Sequence, residues 1–330
     1  MTELVRMLVD NVDTFLKRNV GLGEDAFMHA FHESGFALVL APESKGGLAA
    51  GFAEAAAVAR VWGRHAAPLP IVEILLAGAI EAPTREGAFT LALAPARDGR
   101  VNAARVPGAR RCLLPDADGT GWLLLPLDGA KVWRTLADET MLCLDTAAAP
   151  ALPGFPLPAP AELARRGALL TVARMLGAME RILELATEHV KTRSQFGRPI
   201  SRFQLVQEMI ADAGAEVDAT RAVLAHAIDL QDRDLADDIV WRAAKAQAGR
   251  GSTRLAANAH QIFGAIGFTQ EHELHTLTRR LWSWRDMWTT QSEAEAFLGA
   301  RACAAGADGL WPLIADGQAH STDGGSKPWG

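Results

Sequence analysis

Two short runs carry residue types whose spacing could do chemistry. Arg193–Gln204, RSQFGRPISRFQ, opens with a guanidinium and continues with an aromatic and a glycine. A planar fork of donors suits phosphate or carboxylate oxygens, and a glycine lets the backbone approach such a ligand closely. The same spacing equally describes a plain connection between two helices, with Gly197 as a C-cap and Phe196 in the core. The second run, Asn258–Phe268, NAHQIFGAIGF, holds Gln261, Gly264 and Gly267. Its glycines either admit a cofactor or simply end a helix. It is no dinucleotide fingerprint, because no strand precedes it and the GxGxxG order is missing. His272 and His275, beside Glu271 and Glu273, have the spacing of two ligands on one helical face, but no third ligand group accompanies them. A solvated face and no metal is the expectation.

These runs must be positioned by helices. In residues 1–80, Leu4, Met7, Leu8, Val12 and Phe15 recur at helical steps, Gly35 and Ala41–Leu48 interrupt, and Phe52–Val61 resumes an Ala-rich helix. Between 81 and 158 the helical period disappears, and FTLALA, RCLLP, GWLLLPL and KVWRTL read as strands, with a hairpin turn at Asp116–Gly119. Ala147–Pro160, rich in proline, reads as an extended linker. From Ala161 onward the spacing predicts one long helix ending before Gly197, then helices over about 202–232, 237–263, 271–280 and 290–303. The residues after 305 read as a tail whose last ten, STDGGSKPWG, cannot order themselves. The expected class is therefore mainly α with a small β domain: helical domain 1–80, β domain 81–158, helical bundle 159–305 and tail 306–330.

Composition sets limits on function. The chain has 330 residues, with 33 Lys+Arg against 39 Asp+Glu, a net charge of −6 and a pI near 5.9. No basic stripe is present to neutralise phosphates along a nucleic acid. Neither a leader segment nor a membrane-spanning run is visible, and Cys112, Cys143 and Cys303 lack metal or disulfide spacing, so a reducing cytoplasm is expected. Tyrosine is absent, which excludes tyrosine-based chemistry, while tryptophan numbers 9.

Taken together, the two runs resemble the acyl-CoA dehydrogenase family of flavoproteins. The family pattern R-x-x-F-G-x-x-I-x-x-F-Q is matched by Arg193, Phe196, Gly197, Ile200, Phe203 and Gln204. Its Q-x-x-G-G-x-G segment and following acidic residue are matched by Gln261, Gly264, Gly267 and Glu271, with Ala265 in place of the second glycine. Lys245 between them, and Pro42-Glu43 with Gly46-Gly47 near the N-terminus, also fit. The resemblance implies helical, β and four-helix domains, assembly as a dimer or tetramer, and FAD whose diphosphate lies at a subunit contact. Arg193 would face that diphosphate, with Phe196, Gln204, Gln261, Gly264, Gly267 and Thr290 completing the cofactor contacts. It also implies an acyl-CoA substrate and an electron-transferring flavoprotein as acceptor. Trp282, Trp284 and Trp288, crowded among Arg279, Arg280 and Arg285, would either floor the flavin or a subunit contact, or pack the core.

The resemblance fails where catalysis needs it most. The family's base is a carboxylate at one of two positions. Gap-free counting from Gly264 brings the first to Trp288, and counting back from Leu176-Gly177 brings the second to Gly167. Neither accepts a proton, and the nearest carboxylates are Asp286 and Glu162, Asp286 being expected about half a helical turn out of place. The G-S-D-like turn of catalytic members is reduced to Arg97-Asp98-Gly99. Two-chain members of the family divide the work: one chain holds base and substrate, often a steroid-derived thioester, and the other completes the flavin site. The resemblance therefore implies a flavin-completing chain without a base. The alternatives are a self-sufficient dehydrogenase or oxidase using Asp286, and a flavin-free structural protein.

Overall fold

The computed structural model describes residues 2–19, 21–80, 89–92, 98–116, 118–146, 157–235 and 237–316. The linker read at Ala147–Pro160, apart from its last four residues, and the terminal STDGGSKPWG lie outside them.

Four helices open the chain: α1 (Glu3–Asn19), α2 (Glu24–Ser34), α3 (Phe52–Arg64) and α4 (Ile71–Ala79). Leu8, Val12 and Leu16 of α1 recur every fourth residue and are buried, so one stripe of the helix faces the core. Around the fully buried Trp62 the rings of Phe15, Phe27 and Phe31 gather at centroid distances of 5.5–6.4 Å. Such offset and edge-on aromatic contacts add to the area each ring buries.

The middle of the chain builds two three-stranded sheets from β1 (Phe89–Leu91), β2 (Arg100–Ala104), β3 (Arg111–Pro115), β4 (Trp122–Pro126), β5 (Lys131–Arg134) and β6 (Thr140–Asp145). Their orders are β1-β3-β4 and β2-β6-β5. Side chains alternate between faces along a strand. Cys112 and Leu114 of β3 accordingly fill a small core with Val101, Leu125 and Leu144, while Leu113 faces the helices. In the β3–β4 turn the Asp116 carboxylate accepts from the Thr120 amide at 2.9 Å, which places the turn where the sequence predicts it.

The C-terminal half is helical: α5 (Pro160–Thr192), a two-stranded hairpin β7 (Ser194–Gln195) and β8 (Arg198–Pro199), α6 (Gln204–Asp232), α7 (Asp238–Phe263), α8 (Leu274–Trp284) and α9 (Gln291–Asp316). α5, α6 and α7 pack side by side, α8 lies across α5 and α7, and α9 runs along α7. Every residue of α5 from Gly167 to Met179 is buried, as expected of a helix enclosed on all sides. α3 crosses it with the two backbones in contact: a Cβ on Gly63 would strike the Arg174 carbonyl, and one on Gly177 the Arg60 carbonyl. Asp232, ending α6, caps α3 by accepting from the amides of Phe52 (2.8 Å) and Ala53 (3.2 Å).

Three sequence readings need correcting. The helix opening at Gln291 breaks at Gly306, where φ is 65° and ψ is -174°, close to its expected end, but the stretch read as a tail from 306 turns helical again as far as Asp316. His272 and His275 do not share a helical face, since α8 begins only at Leu274 and His272 Nδ1 accepts from the Leu274 amide in the preceding turn. Gly197 is not a helix C-cap: with Phe196 it forms the loop of the β7–β8 hairpin, and Phe196 is 91% exposed rather than in the core.

Candidate functional site

The site begins at a lysine. Lys245 of α7 is fully buried, and its Nζ donates to the carbonyls of Trp284 and Met287, both at 2.9 Å. Burial pushes its ammonium down to about 7. By holding the last carbonyl of α8 and one three residues on, it fixes the turn that carries Trp288. Trp288 has φ of 66°, a conformation that is an outlier for a bulky side chain and persists only where packing imposes it. The packing is visible. Its indole lies on Gly167 of α5, so that a Cβ there would clash with it. The two positions that the sequence analysis singles out for a base are thus one place in the fold, filled by an indole wall.

A cavity of about 330 Å³ opens on one side of that wall, between the β2–β6–β5 sheet and the α8–α9 turn. Arg100, Asn102, Trp133, Asp286, Trp288 and Thr290 are among its lining residues. Asp286 is not carried half a turn away on a helix: α8 has ended, and the reversal at Trp288 leaves both residues on the same cavity. Its side chain is 53% exposed, with the Arg285 Nε at 3.6 Å. Thr290 forms the N-terminal capping box of α9, its hydroxyl accepting from the Glu293 amide (3.1 Å) and its own amide donating to the Glu293 carboxylate (2.8 Å).

A second cavity of about 240 Å³ lies on the other side, with Met141 and Met287 common to both. Its floor is charged and was not anticipated from the sequence. Glu139 accepts from Arg280 (2.7 Å), the Trp284 indole (2.8 Å) and the Ser283 hydroxyl (2.8 Å). Burial raises its pKa, but Arg174, Arg280 and these donors more than offset that and hold it below the ordinary range. Arg174, 1% exposed, stacks 4.1 Å from the Trp284 ring centroid, and burial lowers its pKa despite Glu139 and Glu73. Glu73 of α4, also 1% exposed, is pushed up to about 7 by burial that Arg174 opposes only in part. The Trp288 Nε1–H lies close enough to favour its ionised form slightly, yet neither that nitrogen nor Glu73 Oε1 has a hydrogen-bonding partner among the described residues. A lone charge inside the apolar runs IVEILL and LLTVARMLG is the signal that could have singled out Glu73 and Arg174.

Most of the expected cofactor residues gather elsewhere, at the far end of the bundle. Arg193 follows α5, Phe196 tips the hairpin, Gln204 opens α6, and Gln261 and Gly264 close α7. His189 and Phe263, with ring centroids 4.4 Å apart, tie the ends of α5 and α7 together. Arg193, Phe196, Gln204, Gln261 and Gly264 are exposed, and Gly267 is buried behind them. Thr290 does not join this group. It belongs to the turn packed on Gly167, and Gly167 and Arg193 are separated by roughly 39 Å along α5 at 1.5 Å per residue. Among the described residues no group of three His, Cys, Asp or Glu could hold a metal, and no helix is long and apolar enough to cross a membrane. Trp284 and Trp288 are core residues.

The fold has relatives among known proteins. Residues 161–285 match the family described as acyl-CoA dehydrogenase, C-terminal domain. The acyl-CoA dehydrogenase IpdE2 of Mycobacterium tuberculosis is 29% identical over 270 residues, covering 79% of this chain and 81% of that protein. Among solved structures, a chain of the ChsE4-ChsE5 complex from Mycobacterium tuberculosis superposes with a TM-score of 0.78 at 22% identity, covering 92% of this chain and 98% of that one. Butyryl-CoA dehydrogenase from Megasphaera elsdenii gives 0.72 at 14% identity, over 92% of this chain and 99% of that one.

Proposed function

This chain belongs to the acyl-CoA dehydrogenase family, and from that premise we propose that it is the flavin-completing subunit of a two-chain enzyme that desaturates acyl-CoA thioesters at the α,β bond. The observation that carries the reading is the Trp288 indole lying on Gly167. α,β-Dehydrogenation needs a group to take the α-proton, and an indole N–H cannot accept one. A bound FAD would receive the β-hydride.

The chain's own residues fit such a cofactor in halves. Arg193 offers an exposed guanidinium at the bundle end, where a diphosphate needs a cation and close backbone donors. Phe196, Gln204, Gln261, Gly264 and Gly267 supply flat, amide and backbone contacts around it. The 330 Å³ cavity, with Thr290 on its wall, would take the ring end of another flavin. One extended dinucleotide does not bridge the roughly 39 Å between the two places. Each flavin would therefore touch two chains, and a partner with an intact carboxylate would supply the base. IpdE2 is named an acyl-CoA dehydrogenase and the ChsE4-ChsE5 structure is named a complex; both support this reading. An electron-transferring flavoprotein would reoxidise the assembly, in the cytoplasm.

The test is expression of this chain alone and together with an acyl-CoA dehydrogenase-like chain encoded beside it. We expect no dehydrogenation and no yellow colour alone, and both with the partner. Arg193→Ala should then weaken FAD retention about 10-fold or more, the worth of a charge-assisted contact to phosphate. Bleaching of flavin by an acyl-CoA in the single chain, lost in Asp286→Asn, would replace this reading with a self-sufficient enzyme. That second reading rests on Asp286 facing the same cavity as Trp288. A chain that stays colourless with its partner would leave a structural protein.

A further inference from the structure

The cavity floored by Glu73 and Arg174 is unused by the reading above, since Trp288 and the two methionines part it from the flavin side. Its geometry points to a separate binding site for a small monocarboxylic acid with a short hydrocarbon body. Three buried polar atoms on its lining residues lack partners: Arg174 Nε, Arg280 Nε and Glu73 Oε1. Arg174 and Glu73 are each 1% exposed, so the orphan atoms are deep in the protein rather than at its surface. Buried N–H donors without acceptors are costly, and a carboxylate is the planar acceptor that guanidinium groups match.

Charge and shape agree. The mouth carries Arg105, exposed and without a side-chain partner among the described residues, and Arg134, which pairs with Asp138 at 3.1 Å. Arg105, Arg134, Arg174 and Arg280 against Glu139, Asp138 and an ionised Glu73 leave the surroundings net positive, which favours an anion. Phe27, Leu69, Met141 and Met287 supply an apolar wall. The volume of about 240 Å³ suits a ligand of about eight non-hydrogen atoms, judged by the volume of liquid water it would displace. A phosphate would leave the apolar wall uncovered, and a larger acid would not enter.

Glu73, on α4, faces Arg174 of α5, Glu139 before β6 and Arg280 of α8, with Arg105, Arg134 and Asp138 at the mouth. Its carboxyl, pushed up to about 7, keeps its proton in mildly acidic solution and then donates to the bound anion. Affinity should therefore fall as pH rises through 7.

The test is calorimetric titration of the full chain with hexanoate and, separately, with hexanamide. We expect one saturable hexanoate site, hexanamide weaker by about tenfold or more, and about a tenfold loss in Arg105→Gln, whose rim position leaves folding intact. Arg174→Met should abolish binding. Should that variant fail to fold, Glu73→Gln decides: it keeps the shape and should remove the pH dependence while hexanoate still binds. Absence of saturable hexanoate binding, equal binding of the amide, or titrations indifferent to both Arg105→Gln and Glu73→Gln would overturn the assignment. None of these results depends on FAD or a partner, so the proposed subunit role stands or falls separately.

Discussion

At the scale of single residues, Gly167 decides what the neighbouring turn can hold. Any side chain at this position would meet the indole of Trp288. Gly167→Ala should therefore lower stability by about 1–3 kcal/mol through overpacking. Trp288→Leu in the same chain should recover part of the loss, a coupling that a double-mutant cycle in urea would measure. Two buried titratable groups set a pH signature. Glu73 has its folded pKa raised from 4.5 to about 7, so between those values the folded state binds more protons and stability falls as pH rises. Lys245 has its folded pKa lowered from 10.5 to about 7, so from about 7 upward the unfolded state binds more protons and stability rises. Together they contribute a minimum near neutrality. Glu73→Gln should flatten the acid limb and Lys245→Met the alkaline limb of denaturation midpoints measured across pH.

At the scale of elements, caps and turns give the next expectations. The Asp237 carboxylate accepts from the amides of Ile239 and Val240, both at 3.0 Å, at the start of α7. Asp237→Ala should cost about 1 kcal/mol, read as a lower urea midpoint with unchanged slope. The β7–β8 loop places Phe196 at φ 51° and Gly197 at φ 78°, the signs that a type I′ turn requires and that Asn-Gly satisfies best. Phe196→Asn should raise the stability of the isolated chain by up to about 1 kcal/mol, while FAD retention in the assembly falls. A strained, exposed aromatic kept where asparagine would serve better fits the flavin contact proposed for Phe196. The helices were legible because apolar residues repeat at three- and four-residue steps. This hairpin was not, because phenylalanine seldom adopts a left-handed conformation and nothing in RSQFGRPI alternates. The helical run past Gly306 was equally hidden, since a glycine and Pro312 read locally as an ending.

At the scale of the whole molecule, the order of helical, sheet and helical regions was legible from changes of period. What joins them was not. Glu73 and Arg174 meet across a distance in sequence that no spacing rule covers, and the meeting of Trp288 with Gly167 depends on how α8 lies across α5. The two half-sites proposed for a dinucleotide lie at separate ends of α5. If each flavin is shared between chains, its loss on dilution should track protein concentration, and excess partner at constant FAD should reverse it; fluorescence of released flavin would measure this. The contact of α3 with α5 through Gly63 and Gly177 has a mechanical result. Two helices touching backbone to backbone have no soft layer on which to slide, so the first helical region and the bundle form a single stiff frame. Breathing motions that admit small molecules would then fall to the sheet region, rocking on the anchor that Glu139 makes with α8.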